Sequence, residues 1–406
     1  MRSNSQDDAS LAVARTPTTV RAFVSLNEAL GGHRNSLGLI RLVLASLVIF
    51  DHAFPLGGYG ADPFWTLTKG QASLGSIAVL GFFIISGYLI AKSAMSADWL
   101  QFLWRRFLRI FPAYWVVLLF TALIVAPIIW TIGGNALSAY FTFAPTGPVA
   151  YFVKNFTLQI GTYGIYDLLA TTTPYGREVQ ASVFNGSLWT LAYEWQCYIM
   201  IGLLALAGVL AKARFVVPLL TAFVGAVEVM SFIDWDATSR FVPALADPEL
   251  LQLTFAFLVG SSIAVYSNEI IFDNRLGIFA GVLALLSLRF GAFSIVGVAA
   301  ASYFVFYLAA RLPRRVQWIG GKSDYSYGVY IYGFLVQQVL AYFGVHNLGY
   351  VPFVLIALVL SLGFAWLSWH LVEKRAMALK NWGPGRGWRY WWDRIRARFA
   401  PKESKV

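Results

Sequence analysis

Long apolar runs, broken at short intervals by clusters of polar and basic residues, set the rhythm of this chain. A helix crosses the hydrocarbon of a bilayer in about 20 mostly apolar residues. Ten stretches fit: 37–56, 74–94, 110–133, 188–209, 215–233, 249–266, 276–290, 291–310, 324–345 and 350–371. The members of the pair 276–290 and 291–310 meet at Arg289, Phe290 and Gly291, and the first is short, so their fusion would change the parity of the count. The pattern predicts an all-α fold, a polytopic transmembrane helical bundle of about ten spans over 37–372. A polar tail over 1–36 precedes it and a basic, aromatic tail over 373–406 follows it. The first 36 residues lack the pattern of a signal peptide and read as a loosely ordered cytoplasmic tail.

Composition agrees with this reading. Of 406 residues, 58% are hydrophobic and 13% charged, against about 25% charged in soluble domains. A soluble globule of this composition would expose apolar patches that such proteins rarely tolerate. At 17% aromatic residues, long disorder is excluded as well. The single cysteine, Cys197, rules out an intramolecular disulfide and a Cys-cluster metal site, and the four histidines, at 33, 52, 346 and 370, are too scattered to suggest a metal set.

The net charge of +11 would suggest nucleic acid in a soluble protein, but here its placement sets topology, so no nucleic-acid partner is expected. With both termini in the cytoplasm, inside segments hold 25 of the 31 Lys and Arg residues and outside loops hold five; Arg41 lies within the first span. The long outside loop, 134–187, could fold over the outer face. The tail Trp388–Phe399 alternates basic and aromatic residues and predicts a helix lying on the anionic inner surface of a bacterial cytoplasmic membrane.

Ionisable groups inside a membrane cost roughly 2.5–3.5 kcal/mol even on mild insertion scales and tend to mark function. Arg41 and His52 lie eleven residues apart in the first span, about three turns, hence on one face and roughly 16 Å apart. Histidine is suited to taking a proton near neutral pH. Glu194 in the fourth span reads as lying at His52's depth, where a carboxylate would orient the imidazole. Ser187 falls two turns before Glu194. Asp51 points away from His52, and Glu228 is a buried acid with no evident partner. Between the second and third spans, Arg105, Arg106 and Arg109 stand among Trp104, Phe107 and Phe111. Guanidiniums held this way could grip phosphates by fork geometry; the plainer alternative is positive-inside anchoring.

Four motifs in order resemble the acyltransferase-3 family of integral membrane acyltransferases, the bacterial cell-surface glycan O-acetylase type, over roughly 37–375. They are Arg41 with His52 eleven residues on, Phe82-Phe83-Ile84-Ile85-Ser86-Gly87-Tyr88-Leu89-Ile90, Arg106 and Arg109 followed by Pro112, and Ser187-Leu188-Trp189-Thr190-Leu191-Ala192-Tyr193-Glu194. Three features depart from the family pattern. Leu80 or Gly81 stands where many members have an acid, Gly333 stands where the segment beginning Ser326-Tyr327 usually ends in His, and no Pro follows Glu373-Lys374-Arg375. The resemblance implies transfer of an acyl group, most simply acetyl, from cytoplasmic acyl-CoA to a sugar or glycan hydroxyl. It implies His52 as base, Glu194 and Arg41 as catalytic partners, Arg105, Arg106 and Arg109 on the CoA phosphates, and Ser187 and Trp189 at the acceptor. A different class also fits the buried charges: a proton-coupled secondary transporter of a polar or anionic solute. Carriers usually show repeated halves and broken helices, and neither is found in the sequence.

Overall fold

The computed structural model describes residues 23–31, 35–96, 98–321, 323–382 and 387–399. The predicted tail over 1–22 and Lys322 lie outside the described residues. Ten long helices occupy the ten predicted places: α1 Leu37–Gly57, α2 Leu74–Ser96, α3 Trp99–Ile132, α4 Thr190–Leu206, α5 Val216–Ile233, α6 Pro248–Val265, α7 Asn274–Phe290, α8 Phe293–Arg311, α9 Ser326–Tyr342 and α10 Tyr350–Asn381. Seven of them, all but α4, α7 and α9, are long and apolar enough to cross a membrane. The burial pattern inverts that of a soluble protein. Val359, Ile233 and Phe279 face outward, while Ser261, Ser302, Ser361, Gln337 and Gln338 are fully enclosed, as a lipid solvent demands.

Three local features bear on the predicted boundaries: two depart from them, and the separation of α7 from α8 keeps them. First, α3 begins at Trp99 rather than 110, so Arg105, Arg106 and Arg109 are helical and not in a loop. Asp98 caps it, accepting from the Leu100 backbone N–H at 3.1 Å. The whole helix of 34 residues spans about 50 Å, well beyond a ~30 Å hydrocarbon core, so its first turns can carry charge. A π turn over Thr121–Val125 precedes Ala126-Pro127, where the proline cannot donate and crowds the preceding turn. Second, α7 and α8 are separate helices, parted at Gly291 and Ala292, both with positive φ.

Third, α4 starts at Thr190 because the chain before it enters the bundle without forming helix. Val183–Trp189 runs alongside α9, and its backbone is satisfied by buried side chains. Gln338 donates to the Val183 carbonyl (2.6 Å), Asn185 donates to the Ile331 carbonyl (2.7 Å), and Tyr330 donates to the Ser187 carbonyl (2.8 Å). Irregular backbone at membrane depth is tolerated where protein encloses it. Consequently Ser187 lies before α4 and does not share a helical face with Glu194. The remainder of the 134–187 loop carries three short helices around the buried side chains Tyr140, Tyr151, Leu169 and Phe184.

Part of the predicted loose tail, among its described residues, is helical. Leu26–Leu30 is a helix with a capping box from Ser25 and Glu28, and Leu26 and Leu30 are buried. Gly387–Phe399 is a helix, as expected.

The closest crossing joins α2 and α6. A Cβ on Gly87 would lie 2.0 Å from the Phe257 carbonyl oxygen, and one on Gly260 would lie 2.0 Å from that of Ile84. Only glycine permits this backbone approach. Gly87→Val should therefore destabilise the bundle by about 3 kcal/mol or more, read as a lower midpoint in chemical denaturation of the detergent-solubilised protein. Gly363→Val, at a glycine with open space around it, should shift the midpoint far less.

Candidate active site

At the end of the bundle where α1 begins, here the basic end, four ionised side chains meet. Arg41 of α1 and Arg109 of α3 both bond Asp324 Oδ2, Arg109 at 2.6 Å. Arg109 also reaches Glu373 Oε2 on α10 at 3.0 Å. Asp324 Oδ1 accepts from the Ser326 backbone N–H (3.1 Å) and hydroxyl (2.5 Å), capping α9, and Ser368 donates to Glu373 Oε1 at 3.0 Å. Asp324 precedes α9 and lies outside the spanning segments. Burial pushes its carboxyl up, but Arg41 and Arg109 outweigh that and hold it at about 2.

This network revises the expected role of the arginine cluster. Arg109 and Arg41 already have carboxylate partners, so their forks are occupied. Arg105 donates to Asn381 Oδ1 at 3.2 Å. Arg106 lies over the Phe102 ring, 6.0 Å from its centroid, and has no carboxylate partner among the described residues. Of the three, Arg105 and Arg106 are the cations without a carboxylate partner among the described residues.

Above the network lies a narrow cavity of about 50 Å³ lined by Arg41, Arg109, Glu194, Tyr198 and Tyr327. Glu194 Oε1 accepts from the hydroxyls of Tyr198 and of Ser86, the latter at 3.1 Å. A second cavity, of about 400 Å³, is lined by Asp51, His52, Ser187, Trp189, Glu249 and Gln252. Val79, Thr190 and Tyr330 line both, so the cavities adjoin. Across this wall the Thr190 and Tyr330 hydroxyls hydrogen-bond at 2.5 Å.

The sequence-predicted residues thus divide between two chambers. Arg41 and Glu194 face the first, while His52, Ser187 and Trp189 face the second. The predicted pairing of Glu194 with His52 is not found: α4 packs chiefly on α2, α3 and α6, and no hydrogen bond joins the two among the described residues. Glu194 lines the cavity of Arg41 and Arg109, and His52 lines the adjoining one. His52 packs edge-on against Phe334, centroids 5.2 Å apart. Neither of its ring nitrogens has a hydrogen-bond partner among the described residues. Ser187 Oγ donates to Asn185 Oδ1 at 2.9 Å and holds the entering segment in shape.

Gly333, standing where the resemblance expects histidine, is where α9 meets α1. A Cβ there would lie 3.0 Å from Ile49, one turn before His52. Gln337 fixes the same register by donating to the Ile49 carbonyl at 2.8 Å. Asp324, Tyr198 and Tyr330 were not singled out by sequence reasoning. The one available signal was that Asp324 and Tyr330 flank or fall within the segment beginning Ser326-Tyr327.

The Acyltransferase domain model of the acyltransferase 3 family matches residues 34–370. The chain belongs to the acyltransferase 3 family. An "O-acetyl transferase" of Shigella phage Sf6 is 31% identical over 353 residues, covering 84% of this chain and 95% of the relative. "Nodulation protein 10" of Rhizobium leguminosarum bv. viciae is 28% identical over 375 residues, covering 87% and 96%. No solved structure matches. The protein is a multi-pass membrane O-acetyltransferase, an enzyme of acyl transfer, and the transporter alternative falls.

In this acyltransferase, Asp324→Asn should leave two buried guanidiniums poorly compensated and cost about 3–5 kcal/mol in denaturation. The pH dependence has a definite sign. The folded carboxyl is depressed from 3.8 to about 2, so its stabilisation is complete above about pH 4 and is lost as pH falls toward 2. The wild-type midpoint should hold between pH 5 and pH 8 as far as Asp324 is concerned, and the asparagine variant should lose the acid-side component.

Proposed function

We propose that this O-acetyltransferase moves the acetyl group of cytoplasmic acetyl-CoA onto a hydroxyl of a glycan at the opposite membrane face. All ten helices cross the bacterial cytoplasmic membrane in this reading, with both termini inside, as the Lys and Arg distribution supports. The observation that carries it is the pair of adjoining chambers, one opening among cations at the basic end and one around His52. The names of the relatives add support for acetyl as the group and, less directly, for a glycan as acceptor.

Acetyl-CoA sets its phosphates against Arg106, with Arg105 beside it, and extends its pantetheine arm through the first chamber. Glu194, held by Ser86 and Tyr198, accepts from an amide N–H of the arm. The Arg41-to-His52 distance of roughly 16 Å along α1 is on the scale of that arm. The acceptor enters the second chamber from the other end, where Trp189 offers a flat face to the sugar. His52 removes the proton from the acceptor hydroxyl as its oxygen attacks the thioester carbonyl. The C–S bond breaks, and the imidazolium returns the proton to the departing CoA thiolate. Arg41 acts as a positioning residue through Asp324.

His52→Ala should lower acetyl transfer by 10²–10⁴-fold with the folded protein retained in gel filtration. Activity above about a tenth of wild type would remove His52 from the role of base. His346, which takes no part in either chamber, should tolerate the same change. Arg106→Ala should raise the KM for acetyl-CoA at least tenfold, and Arg106→Lys should rescue it only in part because a point charge lacks the fork. Arg109→Ala should instead lower the denaturation midpoint. If Arg106→Ala leaves acetyl-CoA affinity unchanged, the phosphates bind elsewhere.

A further inference from the structure

The chamber around His52 does not end the groove. A third cavity of about 310 Å³ adjoins it, with Glu249 and Gln252 lining both. Glu228, Ser231 and Trp235 furnish its far side. Glu228 is 5% exposed, and its carboxyl group has no hydrogen-bond or ion-pair partner among the described residues. A carboxyl set in such a recess takes its donors from whatever fills the cavity, water or ligand. A residue kept in that state, facing a cavity that connects with the acceptor chamber, is matched to a ligand that brings the donors.

The surroundings specify the ligand's chemistry. Trp235 presents an indole, the kind of flat apolar face on which the C–H side of a pyranose rests, as Trp189 does in the chamber of His52. Hydroxyl and amide groups stand around it at Ser231 and Gln252. Across the two cavities the charged groups are all carboxyls, those of Asp51, Glu249 and Glu228, and no Lys or Arg lines either cavity. An anionic sugar placed here would meet three acids and no cation, a like-charge arrangement that discriminates strongly. A neutral hydroxylated sugar, or one bearing an amine, would supply hydrogen-bond donors to Glu228.

We infer that the Glu228 cavity is a second saccharide subsite, taking a neutral or amine-bearing sugar unit next to the one that is acetylated. The inference rests on the glycan-acceptor reading above. It makes the acceptor a chain of at least two units and gives Glu228 and Trp235 a role in substrate selection.

The test uses the full-length protein in detergent with radiolabelled acetyl-CoA and octyl glycosides of neutral, 2-amino and uronic sugars, each as mono- and disaccharide. The readout is the ratio of kcat/KM for disaccharide over monosaccharide within one protein preparation, so partial loss of folded material cancels. Wild type should favour neutral or amino disaccharides about tenfold, the size of one good contact, and should disfavour uronic ones. In Glu228→Gln the uronic penalty should shrink, and in Trp235→Ala the ratio should fall to about one. A wild-type ratio near one, or a preference that survives in both variants, overturns the subsite. Acetylation of no glycoside of either length overturns the glycan acceptor itself and the subsite with it, a result distinct from acetylation of both lengths alike.

Discussion

Two arginines and two carboxylates cannot stand unpaired at the border of a hydrocarbon slab, and that constraint organises the basic end of this bundle. Asp324 takes Arg41 from α1 and Arg109 from α3, and Glu373 closes the set from α10. Asp324 also caps α9 through Ser326. One carboxylate therefore fixes the relative positions of three helices and, through Arg109, a fourth. The cavity above the network takes its shape from those helices. Pairing here is a condition of folding, and the catalytic chambers inherit their geometry from it.

Above that base, α9 acts as the internal pillar. Fifteen of its seventeen residues are buried, and its polar side chains hold other backbones in place. Gln337 fixes α1 beside His52, while Gln338, Tyr330 and the Ile331 carbonyl hold the non-helical segment that precedes α4. The chambers meet where Tyr330 touches Thr190. The wall between the two chambers is thus built from two hydroxyl side chains and Val79.

The positions of the ten helices could be read from the chain because lipid enforces unbroken apolar runs. The family could be read because four short motifs keep their order, and His52 stood out as a candidate because an imidazole three turns from an Arg within a span is costly. What escaped the sequence has physical causes. The start of α3 was missed because a helix can outlast the hydrocarbon, and its charged first turns end the apolar run without ending the helix. The entry of Val183–Trp189 into the bundle was missed because its partners, Gln338 and Tyr330, lie far along the chain. The ion pair of Arg41 with Asp324 joins residues 283 apart, a separation at which periodicity says nothing. Glu194 and His52 line adjoining cavities in place of the imagined contact.

The glycine-to-carbonyl contacts between α2 and α6 bear on how this protein can move. Where Gly87 and Gly260 press against the opposite main chain, neither helix can slide or roll without a backbone collision, because no layer of side chains lies between them to repack. Carriers that alternate their access depend on such layers as planes of shear. Here α2 supplies wall residues to both chambers, including Val79, and it is locked at mid-length. The wall that the two chambers share on this side is therefore fixed to α6 by main-chain contact.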